Sequence, residues 1–167
     1  MQDVVAPTYD ELSALPAYCE QVVPQGFEDI NGHLNIRHYV GIASEGLDES
    51  LVGLGIPMQW PNIAGQAVFT AEHHMTYLHE LRTGDSLSVR VRLLGRSDRA
   101  VHALVYLVDE THQRVSFVME EIFLHIDLET RKTSDWPADV AEQLDAQIKL
   151  DADLPFAATT SGAMALR

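Results

Sequence analysis

The sequence predicts an α+β fold in which a curved antiparallel β-sheet wraps around one long helix. Apolar residues recur with helical periodicity through residues 35–54, and extended segments joined by hairpins follow this region. Consecutive strands of this kind form an antiparallel sheet that can bury the apolar stripe of the helix. The length of 167 residues fits one domain, and the hydrophobic content of 46% excludes global disorder.

The N-terminal part of the chain is predicted to be an extension followed by an irregular edge strand. Residues 1–17 contain two prolines and a short helical pattern at residues 9–12, and they precede a predicted domain of residues 18–136. Residues 18–27 have an extended composition that a proline and a glycine interrupt, so a regular central strand is not expected here.

One long helix is predicted between residues 35 and 54. Asn31-Gly32 marks a turn just before it, and Asn35 is suited to cap its first turn. Gly53 and Gly55, with a proline beyond them, mark its end. The apolar residues of its stripe recur at steps of three and four: Ile36, Tyr39, Val40, Ala43, Leu47, Leu51 and Leu54.

Four strands are predicted after this helix, at residues 65–78, 86–94, 100–108 and 114–128. In the second of them, apolar residues from Leu87 to Leu93 alternate with polar ones, so the two faces differ. Other strands are apolar on both faces, and we expect a second subunit to cover part of the sheet. Residues 137–167 are predicted to form a short amphipathic helix and a loose tail.

The charge of the chain excludes some classes of partner. Eleven basic and 25 acidic residues give a formal net charge of −14, which disfavours nonspecific nucleic-acid binding. No apolar run is long enough for a membrane span, and Met1-Gln2-Asp3 lacks the basic region of a signal peptide. The single cysteine, Cys19, is expected to be an inert thiol in a reducing compartment. We therefore expect a cytoplasmic protein with no nucleic-acid or membrane partner.

The sequence contains none of the common cofactor motifs. It has no phosphate-binding loop, dinucleotide fingerprint or nucleophile elbow. Eight histidines are present, but none of their spacings matches a zinc motif. His125 and Asp127, two positions apart in a predicted strand, come nearest to a ligand pair. We expect neither a metal nor a bound cofactor.

The most informative stretch is residues 29–39, which places a carboxylate just before the long helix. Free backbone N–H groups at a helix N-terminus carry partial positive charge and bind anions. Asp29 beside such donors has the parts for acyl transfer, because the acid can attack or activate water while N–H groups stabilise an oxyanion. A purely structural role, in which Asp29 caps the turn at Asn31-Gly32, fits the same residues.

This stretch resembles the signature of the hotdog-fold acyl-CoA thioesterases, in particular the 4-hydroxybenzoyl-CoA thioesterase type. Asp29-Ile-Asn-Gly-His33-Leu-Asn35, followed by Tyr39 and the acidic Glu45, carries the resemblance. The resemblance extends over roughly residues 18–136. Four shorter segments are also similar to betainyl-CoA thioesterases: Glu72-His73-His74, Tyr77-Leu78-His79-Glu80-Leu81, Leu93-Leu94-Gly95 and Leu124-His125-Ile126-Asp127.

The resemblance implies a hotdog fold that pairs as a homodimer or a dimer of dimers, with active sites at the subunit interface. It implies Asp29 as the catalytic residue, acting as nucleophile or general base. The substrate-binding residues that it implies are Asn31, Gly32, His33, Asn35, Tyr39 and Glu45. Two positions depart from the family pattern, because Phe27 stands where a second aspartate is common and Ile36 replaces a second amide.

The implied function is hydrolysis of a small acyl-CoA thioester to a free acid and coenzyme A, with betainyl-CoA as a specific candidate. The phosphates of coenzyme A need local positive charge, and the candidates are Arg82, Arg90, Arg92, Arg96 and Arg99. A solvated charged face also explains these arginines. Three alternatives stay open: a hotdog dehydratase or hydratase acting on acyl-CoA, a non-catalytic acyl-CoA-binding module in which Asp29 is structural, and a strand-rich interaction protein without a small ligand in which Asn31-Gly32 is only a turn.

Overall fold

A computed structural model describes residues 6–166, so Met1-Gln2-Asp3, which the signal-peptide expectation concerns, lies outside the described residues. The elements in chain order are α1 (Tyr9–Leu12), β1 (Tyr18–Val22), α2 (Ile36–Val52), α3 (Trp60–Ala64), β2 (Gln66–Tyr77), β3 (Ser86–Arg96), β4 (Ala100–Asp109), β5 (Arg114–Asp127), β6 (Lys132–Thr133) and α4 (Ala138–Ala152). The strands form one antiparallel sheet in the order β1-β3-β4-β5-β2, and β6 pairs with the end of β5. The predicted α+β architecture is confirmed.

Helix α2 packs very closely on the sheet at Gly46. A Cβ atom added to Gly46 would lie 2.4 to 2.7 Å from three side-chain atoms of Val89 in β3, so glycine is required at this contact. The predicted N-cap is present, because the side chain of Asn35 accepts a hydrogen bond of 3.1 Å from the N–H of Arg37. The helix ends two residues earlier than predicted, at the Gly53 cap.

The sheet face opposite α2 is covered by other parts of the same chain. Helix α1 and the segment after α4 pack on it in an apolar cluster that includes Tyr106 and Phe156. Arg92 donates a hydrogen bond of 2.8 Å to the carbonyl of Phe156 and lies 4.8 Å from the centre of its ring. Within the predicted loose tail, Phe156 is an exception, because it is only 7% exposed and packs on strands distant in sequence.

Strand β2 forms an open edge of the sheet. Among the described strands it pairs with β5 alone. Its side chains Phe69, Met75 and Tyr77 are 44%, 41% and 45% exposed. A long edge strand with exposed apolar side chains offers unpaired N–H and C=O groups to another strand, so β2 is a template for association. Within residues 6–166, no helix has the length and apolar character that a bilayer crossing requires.

Candidate active site

Asp29 lies in a tight turn that its own backbone closes. Its N–H donates a hydrogen bond of 2.9 Å to the carbonyl of His33, and its carbonyl accepts one of 3.1 Å from the N–H of Gly32. Gly32 has a φ of 81°, a left-handed conformation that favours glycine. The N–H of Leu34 donates to the carbonyl of Leu81 at 2.7 Å, which fixes the turn against the segment that follows β2.

The Asp29 carboxylate is held in its ionised form. Oδ1 accepts a hydrogen bond of 2.8 Å from the backbone N–H of Asn31, and Oδ2 accepts a longer one of 3.4 Å from its side-chain amide. These hydrogen bonds, chiefly the backbone one, outweigh the opposing effect of desolvation and lower the pKa of Asp29. The side chain is 23% exposed, so a charged carboxylate is accessible to a ligand.

A cavity of about 280 Å³ opens beside Asp29 at the N-terminus of α2. The turn, the start of α2 and the end of β2 with the residues that follow all contribute to its wall, which includes Asp29, His33, Ile36, Tyr39, Tyr77 and Glu80. Tyr39 packs edge-on against Tyr77 with ring centres 5.2 Å apart, and its hydroxyl accepts a hydrogen bond of 3.4 Å from the N–H of Leu81. The wall therefore combines aromatic surface with a small group of ionisable side chains.

A histidine stands between two carboxylates at this cavity. Nδ1 of His33 lies 3.7 Å from Oδ1 of Asp29, and its Nε2 lies 3.3 Å from Oε2 of Glu80. Glu80 accepts a further hydrogen bond of 3.0 Å from Nε of Arg82, which lowers the pKa of Glu80. Sequence reasoning did not assign Glu80 or Tyr77 to the site. The similarity of the segment from Tyr77 to Leu81 to betainyl-CoA thioesterases was the signal that pointed to them.

The first backbone N–H of α2 is free for a ligand. Among the described residues, the N–H of Ile36 has no hydrogen-bond partner, whereas that of Arg37 donates to the Asn35 side chain and that of His38 to the Asn35 carbonyl. Ile36 also lines the cavity. Because N–H groups at a helix N-terminus carry partial positive charge, the start of α2, which adjoins this cavity, is suited to bind an oxyanion.

The predicted pocket residues divide into three groups. The structure places Asp29, His33 and Tyr39 at the cavity, whereas Asn31, Gly32 and Asn35 shape the turn and cap the helix. Glu45 is not brought to the cavity. It lies on the side of α2 that faces β1, where its Oε2 is 3.7 Å from Sγ of Cys19. Desolvation raises the pKa of Cys19, so this thiol stays protonated at neutral pH.

The five predicted phosphate-binding arginines do not form one cluster. Arg82 adjoins the cavity through Glu80. Each of the others pairs elsewhere: Arg90 with Glu110, Arg92 with the Phe156 carbonyl, Arg96 with Asp145 and Arg99 with Asp135. Arg96 lies level with Thr70 in the register of the sheet. Thr70 is about 20 Å along β2 from Tyr77, which lines the Asp29 cavity. Nearby acceptors engage these side chains, and their role toward the phosphates of coenzyme A stays a prediction.

One group of possible metal ligands occurs within residues 6–166, formed by Asp85, Asp109 and His112. Oδ2 of Asp109 already accepts hydrogen bonds from Nε of Arg114 at 3.0 Å and from Nδ1 of His112 at 2.8 Å. Asp85 accepts one of 2.8 Å from the N–H of Arg82. These contacts make the group a hydrogen-bond network that joins neighbouring loops.

Residues 23–144 match the family described as the thioesterase-like superfamily, which accounts for well over half of the chain. The chain belongs to this superfamily. Membership confirms the prediction of a thioester hydrolase.

Two proteins that are similar in sequence to this chain are named as betainyl-CoA thioesterases. The betainyl-CoA thioesterase of Pseudomonas aeruginosa PAO1 is 27% identical, over 84% of this chain and 88% of that protein. The L-carnitine dehydrogenase/betainyl-CoA thioesterase of Agrobacterium fabrum is 29% identical, over 75% of this chain and 26% of that longer protein. This thioesterase-like chain is therefore similar in sequence to enzymes whose names include betainyl-CoA.

A solved structure of similar fold has been determined with coenzyme A. Staphylococcus aureus SAV2348 in complex with CoA superposes with a TM-score of 0.77, covering 88% of this chain and 91% of that one. The two sequences are 22% identical, so the likeness bears on fold alone. The predicted hotdog fold of this thioesterase-like protein is confirmed.

Proposed function

We propose that this protein hydrolyses an acyl-CoA thioester and that Asp29 drives the reaction. The observation that carries the proposal is the ionised Asp29 carboxylate and the free N–H of Ile36 at one cavity. The superfamily match and the relative from Pseudomonas aeruginosa support the reaction class. The complex of SAV2348 supports coenzyme A as the carrier that such a fold can hold.

Two chemical routes use this arrangement. As a nucleophile, Asp29 adds to the thioester carbon, the C–S bond breaks, and coenzyme A leaves as a thiolate that takes up a proton; water then hydrolyses the anhydride and restores Asp29. As a general base, Asp29 takes a proton from water while the water oxygen attacks the same carbon. The hydrogen bonds from Asn31 keep Asp29 ionised, which is the state that both routes require.

The groups around Asp29 have supporting roles in this proposal. Attack on the thioester places negative charge on the carbonyl oxygen, and the N–H of Ile36 donates a hydrogen bond to it. One such donor is worth about a hundredfold in rate. His33 lies 3.7 Å from Asp29 and 3.3 Å from Glu80, which suits it to orient the carboxylate.

The enzyme is proposed to act as a homodimer that pairs through β2. A two-fold axis perpendicular to the sheet sets two β2 strands antiparallel, so each satisfies the open edge of the other. This pairing covers the exposed Phe69, Met75 and Tyr77. A dimer of two such dimers would keep the same contact.

Betainyl-CoA is the proposed substrate to test first, because two relatives bear that name. The experiment is free-thiol release by the wild-type protein from a panel of acyl-CoAs. The panel runs from acetyl through aromatic and long-chain groups and includes betainyl. Turnover of at least one member supports the proposal. Binding of acyl-CoA by calorimetry without thiol release would instead identify a binding module, and loss of water or its addition to an acyl chain would identify a dehydratase or hydratase.

A further inference from the structure

A second cavity, of about 250 Å³, lies at the other end of α2. The end of α2, the helix α3 and the start of β2 form its wall, which includes Asp48, Leu51, Trp60, Ala67, Val68 and Phe69. Asp48 is the one charged residue in this wall, and the others are mostly apolar or aromatic. The function described above assigns no role to this cavity.

The polar chemistry of this cavity rests on one carboxylate, that of the exposed Asp48. Asp48 forms no hydrogen bond or ion pair with any other described side chain, although it stands at the rim of an apolar wall. Desolvation by this wall, with a smaller effect of Glu45, raises the pKa of Asp48. A cation bound in the cavity would supply the counter-charge that no described side chain gives to Asp48.

The cation that suits such a wall is a quaternary ammonium group. It has no N–H to donate, so it needs few hydrogen-bond acceptors and is attracted to aromatic faces and to a carboxylate. Trp60, which is 7% exposed, and the exposed Asp48 both line this cavity, so its wall includes an aromatic residue and a carboxylate. An ammonium group with N–H donors would find a single charged acceptor there and would lose most of its hydration.

We propose that Asp48 and Trp60 form the subsite for the head group of a quaternary-ammonium acyl chain such as betainyl. This inference rests on the acyl-CoA thioesterase function and the dimer proposed above.

The subsite serves the active site of the partner subunit. Val68 lines the second cavity and Tyr77 lines the Asp29 cavity, so within one chain the two lie roughly 30 Å apart along β2. A small acyl group cannot span that distance. Antiparallel pairing of two β2 strands about their midpoint brings Tyr77 of one subunit level with the start of β2 in its partner. Asp29 of one subunit and Asp48 of its partner then face the same substrate.

The test compares betainyl-CoA with 3,3-dimethylbutanoyl-CoA, in which carbon replaces the charged nitrogen in an acyl group of the same shape. Asp48→Asn should lower kcat/KM for betainyl-CoA by about ten- to a hundredfold and change that for the neutral substrate less than about twofold. Glu49→Gln is the matched control, because this carboxylate lies on the same helix but bonds to the backbone N–H of Cys19. Glu49→Gln should leave kcat/KM unchanged for both substrates.

Equal effects of Asp48→Asn on the two substrates, or no effect on either, would overturn the subsite. Wild-type turnover of the neutral substrate alone would also overturn it while leaving the thioesterase function intact. Turnover of no acyl-CoA would remove the proposed function and the subsite together.

Mixed dimers test the contribution across subunits. A heterodimer of one Asp29→Asn subunit and one Asp48→Asn subunit, isolated with two different tags, contains one intact site if the residues act in trans. It should hydrolyse betainyl-CoA at about half the wild-type rate. If Asp29 and Asp48 act within one chain, no intact site remains, and a rate no higher than half that of the Asp48→Asn homodimer would overturn the shared arrangement.

Discussion

Gly46 sets the distance between the central helix and the sheet, so Gly46→Ala should destabilise the protein. The added Cβ would lie 2.4 to 2.7 Å from the Cβ and both γ-carbons of Val89, whereas carbon atoms normally pack at about 3.5–4.0 Å. Rotation of the Val89 side chain cannot move its Cβ, so the helix or β3 must shift by about 1 Å. Such overpacking costs about 1–3 kcal/mol, and the higher helix propensity of alanine offsets about 1 kcal/mol of this.

The assay is urea unfolding followed by circular dichroism, with the free energy of unfolding compared at constant m-value. We expect a net loss of up to about 2 kcal/mol, which leaves Gly46→Ala about 1–3 kcal/mol less stable than an alanine variant of the same helix that meets no such clash. Gly41 is a matched control in the same helix, because a Cβ there meets no atom within 4 Å. Gly41→Ala should stabilise the protein by about 1 kcal/mol. A Gly46→Ala protein as stable as Gly41→Ala would refute the close contact.

Three further predictions concern the site, the C-terminal segment and the open edge. Hydrogen bonds from Asn31 lower the pKa of Asp29, so kcat/KM should hold down to about pH 5 and fall only as the carboxylate protonates below about pH 4. A pH profile with a fall centred above pH 5 would contradict this. Phe156→Ala should cost about 3–4 kcal/mol in thermal unfolding, and unchanged stability would show that the segment does not pack on the sheet. Met75→Lys places a charge on the edge of β2 and should give a monomer by light scattering; a persistent dimer would place the interface elsewhere.

The elements that the sequence predicts best are those with local signals. Asn35 and Gly53 mark the ends of α2 through capping chemistry, and the alternation from Leu87 to Leu93 identifies β3. The packing of Phe156 had no local signal, because its burial depends on strands that lie far away in the chain. Helix α3 was also missed, since five residues that include a proline carry no helical periodicity.

The residues of the candidate site likewise differ in whether a local signal in the sequence predicts them. The turn at Asp29 and the helix start are contiguous in sequence, so a motif can place them together. Glu80 and Tyr77 reach the cavity only because the segment after β2 returns to the turn, where Leu34 bonds to Leu81. Tertiary packing likewise decides which side of α2 faces the cavity. The sequence motif therefore could not show that Glu45 lies on the other side of the helix, next to Cys19.

The central claim is that the Asp29 carboxylate drives thioester hydrolysis, and Asp29→Asn tests it most directly. The substitution removes the charge but keeps an oxygen that can accept the hydrogen bond from Asn31. Asp98→Asn, at an exposed position between β3 and β4, is the matched control. With the best acyl-CoA substrate, thiol release by Asp29→Asn should fall by at least about a hundredfold, a barrier increase of about 3 kcal/mol, while the control keeps the wild-type rate. A folded Asp29→Asn protein that turns over at the wild-type rate would contradict the claim.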